Sequence, residues 1–308
     1  MVQATAPGKV ILFGEHAVVY GRPAIAAPVS QVRATAVITP SPDDNIHLIA
    51  PDLEMADTLE EADEENPLVA AVRQVAYHQP LPPFSLTVTS QIPIASGLGS
   101  GAAITASIIR ALAQYLGLPA SNEWVSAATY EVEKLHHGTP SGIDNTVVAY
   151  EQPIYFVRQQ PQNRIEAFQV AQPLHLLIAD TGIRSSTKVV VDDVRRQWQA
   201  DPTHFEALFD GCGRIASQVQ AAIERGDVGE IGRLMNQNHT LLQAMTVSSP
   251  ELDRLVVAAR QAGALGAKMS GAGRGGNMIA LIEESKETAV REALLVAGAT
   301  AVLSSTIA

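Results

Sequence analysis

The sequence feature that most limits the fold is a glycine-rich segment at residues 93–103, PIASGLGSGAA, between a predicted strand and a predicted helix. Phe84–Ser90 (FSLTVTS) alternates apolar and polar residues, which predicts a half-buried strand. From about Ser100 to Leu116 the residues are mostly small and apolar, and we expect a helix. Because glycines let a backbone curl around an anion and a helix N-terminus offers free N–H groups, this segment predicts a phosphate cradle. The alternative is a tight turn that packs small residues.

The segment at residues 93–103, the second of three glycine segments in chain order, fits two other nucleotide-binding patterns poorly. It matches the dinucleotide pattern G-x-G-x-x-A, but that fingerprint needs a strand after the helix. Here Gly117-Leu118-Pro119 and another predicted helix, at about 122–135, follow. A P-loop would continue with Gly-Lys-Ser or Gly-Lys-Thr, which this chain lacks here. A nicotinamide-dependent oxidoreductase therefore remains only as a minor alternative.

A third glycine segment, KMSGAGRGGN at residues 268–277, also matches G-x-G-x-x-G. A predicted strand, Asn277–Ile282, follows it where the dinucleotide fingerprint requires a helix. Between 271 and 276 only Arg274 is neither glycine nor alanine, so a ligand can approach the backbone closely. The alternative is a plain hairpin turn.

The first glycine segment, APGKVILFGEHAVVYG at residues 6–21, places charged residues at both ends of a predicted strand. Lys9 leads directly into the apolar run Val10–Phe13, where a lysine can point into a site and act as a fixed positive charge. Glu15 and His16 follow the run in a loop, where functional groups concentrate. A solvated surface lysine is the alternative for Lys9.

The chemical centre is predicted in the segment HHGTPSGIDN, at residues 136–145. Asp144 lies after a turn at the expected start of a helix, where its carboxylate can accept a proton from a hydroxyl or act as a helix N-cap. Glu133 lies about one helical turn before this loop. It is predicted either to hold a cation or to be a solvated carboxylate.

In order and spacing, these segments resemble the three motifs of the galactokinase, homoserine kinase, mevalonate kinase and phosphomevalonate kinase (GHMP) superfamily along nearly the whole chain. Within it, the first glycine segment and HGTPSGIDN are most similar to the mevalonate kinases. The resemblance implies an ATP- and Mg²⁺-dependent transfer of phosphate to the C5 hydroxyl of mevalonate, giving 5-phosphomevalonate for isoprenoid biosynthesis. The alternatives are a related kinase acting on phosphomevalonate or another hydroxy acid, and a non-catalytic relative.

The resemblance also implies a role for each matching residue. Asp144 would be the catalytic base or orient the hydroxyl, and Lys9 would lower the pKa of that hydroxyl and neutralise the γ-phosphate. Glu133 and Ser100 would hold magnesium. The ATP phosphates would be wrapped by Pro93, Ser96, Gly97, Leu98, Gly99, Ser100, Gly101 and Ala102. The substrate pocket would be bordered by Glu15, His16, Thr187 and Ala272.

Two positions depart from the pattern of that superfamily. Gly101 stands where the family usually has a second serine that binds magnesium, which leaves Ser100 or a water for the metal. Arg274 replaces a common glycine in the third glycine segment, a position from which its side chain could touch phosphate.

The fold is predicted to be α+β with two domains, as the resemblance implies. Beyond a polar, Gln-rich stretch at 158–173, the expected order is strand, four helices, two strands, helix and strand. That order predicts a ferredoxin-like unit with extra helices. We expect an N-terminal α/β domain at 1–170 that binds ATP and substrate, and a C-terminal domain at 171–308 that closes the active site.

The composition restricts the cellular compartment and the classes of binding partner that we expect. The net charge of −11 argues against a protein that coats nucleic acid, since phosphate backbones require clustered cations. Cys212 is the only cysteine, which excludes an intramolecular disulfide. No secretory signal and no run of about 18 apolar residues is recognisable, so we expect a cytoplasmic protein without membrane contact. A homodimer is the family-level expectation.

Overall fold

A computed structural model describes residues 1–77, 80–93, 97–137, 140–160 and 162–308, without the side chains of residues 136 and 137. The chain divides into two compact units. Unit 1 comprises Met1–Lys9, Ser30–Ile94 and Leu98–Glu151, and unit 2 comprises Val10–Val29, Ala95–Gly97 and Gln152–Ala308.

In the described part of the first half of the chain there are five strands and four α-helices. In chain order they are β1 (Val2–Phe13), β2 (Ala24–Pro40), β3 (His47–Ala50), β4 (Met55–Thr58), α1 (Pro67–Ala76), β5 (Phe84–Ser90), α2 (Ser100–Leu116), α3 (Asn122–His137) and α4 (Ile143–Tyr150). β1 and β2 pair with each other, and each contributes residues to both units.

The sheet of unit 1 runs in the order β4-β3-β5-β2. The second half of β2 pairs antiparallel with β5, with Ile38 opposite Leu86, and β3 pairs parallel with β5. Alternate residues of β5 and of the second half of β2 are buried, as a period-two pattern predicts. α2 contacts α1, α3 and α4. Its small side chains, including Ala103, Ala106 and Ala113, allow that close approach, and they are fully buried.

The second half of the chain supplies the remaining elements. They are β6 (Ile154–Val157), β7 (Arg164–Ala167), β8 (Leu174–Asp180), α5 (Thr187–Ala200), α6 (Pro202–Arg225), α7 (Val228–Ala244), α8 (Pro250–Gln261), β9 (Gly266–Ser270), β10 (Asn277–Ile282), α9 (Glu287–Val296) and β11 (Ala301–Ile307).

The main sheet of unit 2 has the strand order β11-β8-β10-β9, with antiparallel neighbours. Together with the connections through α5–α8 and α9, this is the split βαβ arrangement expected of a ferredoxin-like unit. The predicted fold class is therefore confirmed. The helices of unit 2 begin where the sequence offers side-chain caps: each N-cap oxygen of Ser186, Asp201, Asp227 and Ser249 accepts a backbone N–H of the first turn.

Two segments differ from what their sequences indicate. The patterns of residues 24–28 and 32–38 predict two separate strands, but these residues form one continuous β2, which passes through Pro28 without ending. The polar stretch after residue 157 contains β7, which pairs antiparallel with β6 and places Phe156 opposite Ile165. Among the described residues, no helix is both long and apolar enough to cross a lipid bilayer.

Candidate active site

Lys9 lies near the middle of β1 and is almost completely buried. Its backbone N–H donates a hydrogen bond of 2.9 Å to the carbonyl oxygen of Leu98, which ties the strand to the second glycine segment. Its ammonium Nζ lies 2.9 Å from Oδ1 of Asp144. Lys9 is therefore a fixed positive charge beside a carboxylate, and the solvated-surface alternative is wrong.

Asp144 lies in the first turn of α4, one residue after the helix begins. The N-cap is Gly142, with φ of 91°, so the N-cap alternative for Asp144 is wrong. The residues that follow it are anchored: the Asn145 amide donates to the backbone and hydroxyl oxygens of Ser126, and the Thr146 hydroxyl donates to the Gly142 carbonyl. Because this turn is held on both sides, the partly exposed Asp144 carboxylate has a defined position.

The second glycine segment leads into α2 through Gly99, whose φ of 73° is in the left-handed region. A Cβ at Gly99 would lie 2.8 Å from Cγ of Lys9, so only glycine allows this loop to pack on the lysine. The first-turn N–H groups of Ser100, Gly101 and Ala102 have no acceptor within the helix, as in any α-helix. They directly follow Gly99, which packs on Lys9, and a helix end of this kind can bind an anion.

The other residues that are predicted to bind the nucleotide differ in their exposure to solvent. Pro93, Gly97 and Gly101 are exposed, whereas the side chains of Leu98 and Ala102 are buried and leave only their backbone groups for a ligand. A Cβ at Gly97 or Gly101 would meet no atom within 4 Å. Ser96 lies outside the described residues.

Glu133 lies on α3 and is buried, with one carboxylate oxygen, Oε2, that has no hydrogen-bond partner. Burial and then the charge of Asp144 raise the pKa of its carboxyl to about 8, against the lowering effect of Lys9. A buried carboxylate with an unsatisfied oxygen is costly unless a proton or a cation compensates it. The solvated-carboxylate alternative for Glu133 is therefore wrong.

The described residues fit a magnesium ion of the kind that nucleotides bring. They contain no group of three or more His, Cys, Asp or Glu side chains that could form a complete protein cage. Mg²⁺ in kinases is held by one or two carboxylates together with waters and phosphate oxygens, so a full cage is not required. Glu133 supplies an unsatisfied carboxylate oxygen, and the half-buried Ser100 begins the anion-binding helix end.

In unit 2, Glu15 is completely buried and forms an ion pair with Lys268 of β9, which is also completely buried. The Lys268 ammonium also donates 2.7 Å to the carbonyl oxygen of Met269 and lies 5.9 Å from the centroid of the Phe13 ring. Burial lowers the pKa of Lys268, and the charge of Glu15 opposes that effect. Sequence reasoning missed Lys268; the only signal was a lysine inside an otherwise apolar predicted strand.

His16 follows Glu15 and has a left-handed backbone, with φ of 59°. Its Nε2 lies 2.8 Å from the carbonyl oxygen of Ala272. Because a carbonyl only accepts, Nε2 carries the hydrogen. Burial lowers the pKa of His16 to about 4, so the ring is neutral at pH 7 and Nδ1 is an acceptor. The structure thus brings together two of the four predicted substrate residues, His16 and Ala272.

Thr187, the fourth predicted substrate residue, is exposed at the first position of α5. Arg274 has a partner that the sequence does not indicate: its guanidinium pairs with Asp193 of α5. Sequence reasoning missed Asp193, which looks like any other charge on an amphipathic helix.

The arrangement in unit 1 has the parts that phosphoryl transfer requires. An anion-binding helix end, a fixed lysine, a reachable carboxylate and a buried carboxylate with an unsatisfied oxygen lie within one unit. A dinucleotide site would instead continue from α2 into a parallel strand, whereas α3 follows here.

Two family profiles match this chain. The profile "GHMP kinases N terminal domain" matches residues 66–152, and "GHMP kinases C terminal" matches residues 219–298. The first match contains α2, Glu133 and Asp144, and the second contains the third glycine segment.

Curated relatives match nearly the whole chain. A mevalonate kinase of Pyrococcus horikoshii is 35% identical over 318 residues, covering 96% of this chain and 93% of the relative. A mevalonate kinase of Methanothermobacter thermautotrophicus is 34% identical and covers 90% of this chain and 89% of the relative.

Solved structures with the same fold also have related sequences. The crystal structure of L. major mevalonate kinase in complex with R-mevalonate has a TM-score of 0.86 and 31% identity, covering 100% of this chain and 96% of that one. The Methanococcus jannaschii mevalonate kinase has a TM-score of 0.85 and 26% identity, with 99% and 98% coverage.

Proposed function

The chain belongs to the GHMP kinase family, and from that premise we propose that it transfers the γ-phosphoryl group of ATP to the C5 hydroxyl of mevalonate, giving 5-phosphomevalonate and ADP. One observation carries the chemistry: the ammonium of Lys9 lies 2.9 Å from the Asp144 carboxylate, next to the N-terminus of α2. Relatives named mevalonate kinase, and one solved with R-mevalonate, support this substrate.

In this mechanism Asp144 orients the C5 hydroxyl and accepts its proton as the oxygen bonds to the γ-phosphorus. Lys9 neutralises charge that develops on the phosphoryl oxygens and favours the ionised hydroxyl. The transition state of phosphoryl transfer is loose, so the protein acts mainly by positioning the reactants and stabilising charge. The N–H groups at the start of α2 bind the ATP phosphates, and the bond to ADP breaks as the new one forms.

Magnesium would neutralise the phosphate charge, and we propose Glu133 and Ser100 as its protein ligands. The unsatisfied Oε2 of Glu133 supports this assignment. Gly101 has open space around its missing side chain, which a water or a serine at this position could fill. For the nucleotide we propose eight contact residues, with the contacts of Leu98 and Ala102 made through the backbone: Pro93, Ser96, Gly97, Leu98, Gly99, Ser100, Gly101 and Ala102.

For the substrate we propose His16, Thr187 and Ala272 as contacts, and Glu15 as a residue that acts through its loop. The buried carboxylate of Glu15 is committed to Lys268, so its contribution is to fix the backbone that carries His16. The neutral His16 ring offers an acceptor to a substrate hydroxyl.

The wider organisation of the protein is also a proposal. We place the ATP- and substrate-binding domain at 1–170 and the ferredoxin-like domain that closes the active site at 171–308. We further propose a cytoplasmic enzyme, because its nucleotide substrate is abundant in that compartment and Cys212 is a buried free thiol. A homodimer is proposed from the family resemblance alone.

A coupled assay of ADP release tests the function. Purified protein with ATP and Mg²⁺ should release ADP with mevalonate and much more slowly with phosphomevalonate or homoserine. Mass spectrometry should find the new phosphate on the C5 oxygen. Faster turnover with phosphomevalonate would replace this function with that of the related kinase, and no turnover with any hydroxy acid would favour a non-catalytic relative.

A further inference from the structure

The third glycine segment has a backbone that only glycine adopts easily. Five of the six residues from Gly271 to Gly276 have positive φ, and Arg274, at 55°, is the one that is not glycine. A side chain in the left-handed region is strained relative to glycine. An arginine at this position therefore needs contacts that compensate for the strain.

The first set of contacts joins Arg274 to the turn after α7. Its backbone N–H donates 2.8 Å to the carbonyl oxygen of Val247, and its Nε donates 3.1 Å to the carbonyl oxygen of Thr246. Gly273 approaches the same turn so closely that a Cβ there would lie 2.0 Å from the Val247 oxygen. Backbone and side chain thus hold one end of the glycine loop against residues 246–247.

The second contact joins Arg274 to α5. A guanidinium nitrogen forms an ion pair with the Asp193 carboxylate, and the two side chains are only 34% and 24% exposed. Arg274 is the largest influence that lowers the pKa of Asp193. Asp193 also accepts from Arg196 at 2.9 Å and from the Gln197 amide at 3.1 Å, and that amide donates 3.0 Å to the Thr246 hydroxyl.

The two elements that Arg274 joins carry most of the proposed substrate contacts. The loop presents the Ala272 carbonyl, which accepts the hydrogen bond of His16, and α5 begins with Thr187. A change in the position of the loop relative to α5 would therefore move these groups apart without touching the Lys9–Asp144 pair.

We infer that Arg274 is a positioning residue for the phosphoryl acceptor: by pairing with Asp193 and bonding to Thr246 it holds the glycine loop and α5 in one arrangement. This inference rests on the proposed function and deepens it. Arg274 does not touch the reacting atoms, and it acts through Ala272, His16 and Thr187.

The decisive variants are R274G, D193N and the double variant, with R196A as the matched control. Glycine relieves the strain at position 274, so R274G removes the side-chain contacts without a new steric cost. Arg196 pairs with the same carboxylate but is 70% exposed and makes no contact with the glycine loop in the described structure. R196A therefore removes one cation from Asp193 and leaves the Arg274–Asp193 ion pair in place.

We expect R274G to raise the KM for mevalonate about tenfold, with the KM for ATP changed less than about twofold and a shift in Tm of about 2 °C or less. D193N should reproduce this pattern, and the double variant should be no worse than R274G, since both remove one interaction. R196A should behave as wild type. A higher KM for ATP in R274G but not in D193N would overturn the inference and assign Arg274 to direct phosphate contact.

Hydrogen exchange separates failure of the inference from failure of the proposed function. Without any substrate, R274G should speed amide exchange in residues 271–276 and in the first turns of α5 by about tenfold, and R196A should not. Unchanged exchange would overturn the inference whatever the activity. If R274G speeds exchange but the wild-type protein does not phosphorylate mevalonate, the positioning of the glycine loop by Arg274 and Asp193 would stand. The proposed function, and the substrate role built on it, would then be overturned.

Discussion

Among the described residues, each unit contains one lysine–carboxylate pair whose lysine is buried, and the two pairs differ in the solvent exposure of the carboxylate. In unit 1 the side chains of Lys9 and Asp144 are 5% and 31% exposed. In unit 2 the side chains of Lys268 and Glu15 are both 0% exposed. The lysine is buried in both pairs, so the difference lies in the carboxylate.

That difference separates a reactive pair from a structural one. A carboxylate that solvent can reach can exchange its lysine for a substrate hydroxyl, whereas a fully buried carboxylate that gives up its lysine becomes a poorly compensated buried charge. The same two functional groups therefore serve phosphoryl transfer in one unit and the fixing of a loop in the other. If the two pairs have these different roles, changes in unit 1 should affect mainly catalysis and changes to the Lys268–Glu15 pair mainly stability.

The largest effect is expected for D144N, which keeps the shape of the side chain and removes its charge. Loss of the base should lower kcat about a thousandfold, while ATP binding, measured by calorimetry, should change less than about threefold. N145D is not a suitable control, because Asn145 donates hydrogen bonds to Ser126. D44N, at an exposed aspartate between β2 and β3, is the better one. Near-normal turnover by D144N would remove Asp144 from the mechanism.

The next largest effect is expected on stability, for K268M. Removing one partner of a buried pair should lower the free energy of unfolding by about 3 kcal/mol. K9M should lower it by less, because the Asp144 carboxylate left behind reaches solvent. The double variant K268M/E15L should recover much of the loss. Urea unfolding measures all three, and equal losses for K9M and K268M would contradict the different roles of the two pairs.

The pH dependence of stability sharpens the description of unit 1. The folded-state pKa of Glu133, about 8, lies above its ordinary value of 4.5, so the folded state binds an extra proton between these values. Stability of the magnesium-free protein should therefore fall as pH rises through this range, by up to about 2 kcal/mol between about pH 6 and 7.5, and level off above 8. In E133Q this slope should disappear. Thermal unfolding with EDTA measures it, and an unchanged slope in E133Q would assign the effect to another group.

The smallest effect is expected from a matched pair of glycine substitutions. G99A places a Cβ against Lys9 at positive φ and should cost about 1 kcal/mol of stability and about tenfold in kcat. G101A, in open space two residues later, should be nearly silent in stability. If both variants keep wild-type kcat, the position of Lys9 does not depend on the second glycine segment.

Much of the fold follows from local pattern. β5 and α2 have the predicted bounds because a period-two strand, a glycine turn and a run of small residues leave few alternatives. The helices of unit 2 were also predictable from caps such as Ser186 and Ser249. β7 was missed because its residues, RIEA, have little strand character and form a strand only by pairing with β6.

A site residue could be predicted where the local sequence indicates a single role for it. It could not be predicted where its role depends on a contact with a residue distant in the sequence. Asp144 and Lys9 were identified from a loop–helix junction and a strand entry, and they lie together. The Lys268–Glu15 pair joins residues 253 positions apart, and no local signal announces it. The ion pair of Arg274 with Asp193 could not be foreseen either, because these residues lie 81 positions apart and meet only in the tertiary structure.

A rapid-quench single turnover with γ-labelled ATP and mevalonate tests the assignment of the two pairs directly. On this assignment, the Lys9–Asp144 pair carries the chemistry and the Lys268–Glu15 pair does not. D144N and K268M are compared at a temperature where circular dichroism shows both to be folded. We predict that phosphoryl transfer is about a thousandfold slower than wild type in D144N and within about tenfold of wild type in K268M. The opposite ranking would contradict the assignment of the two pairs.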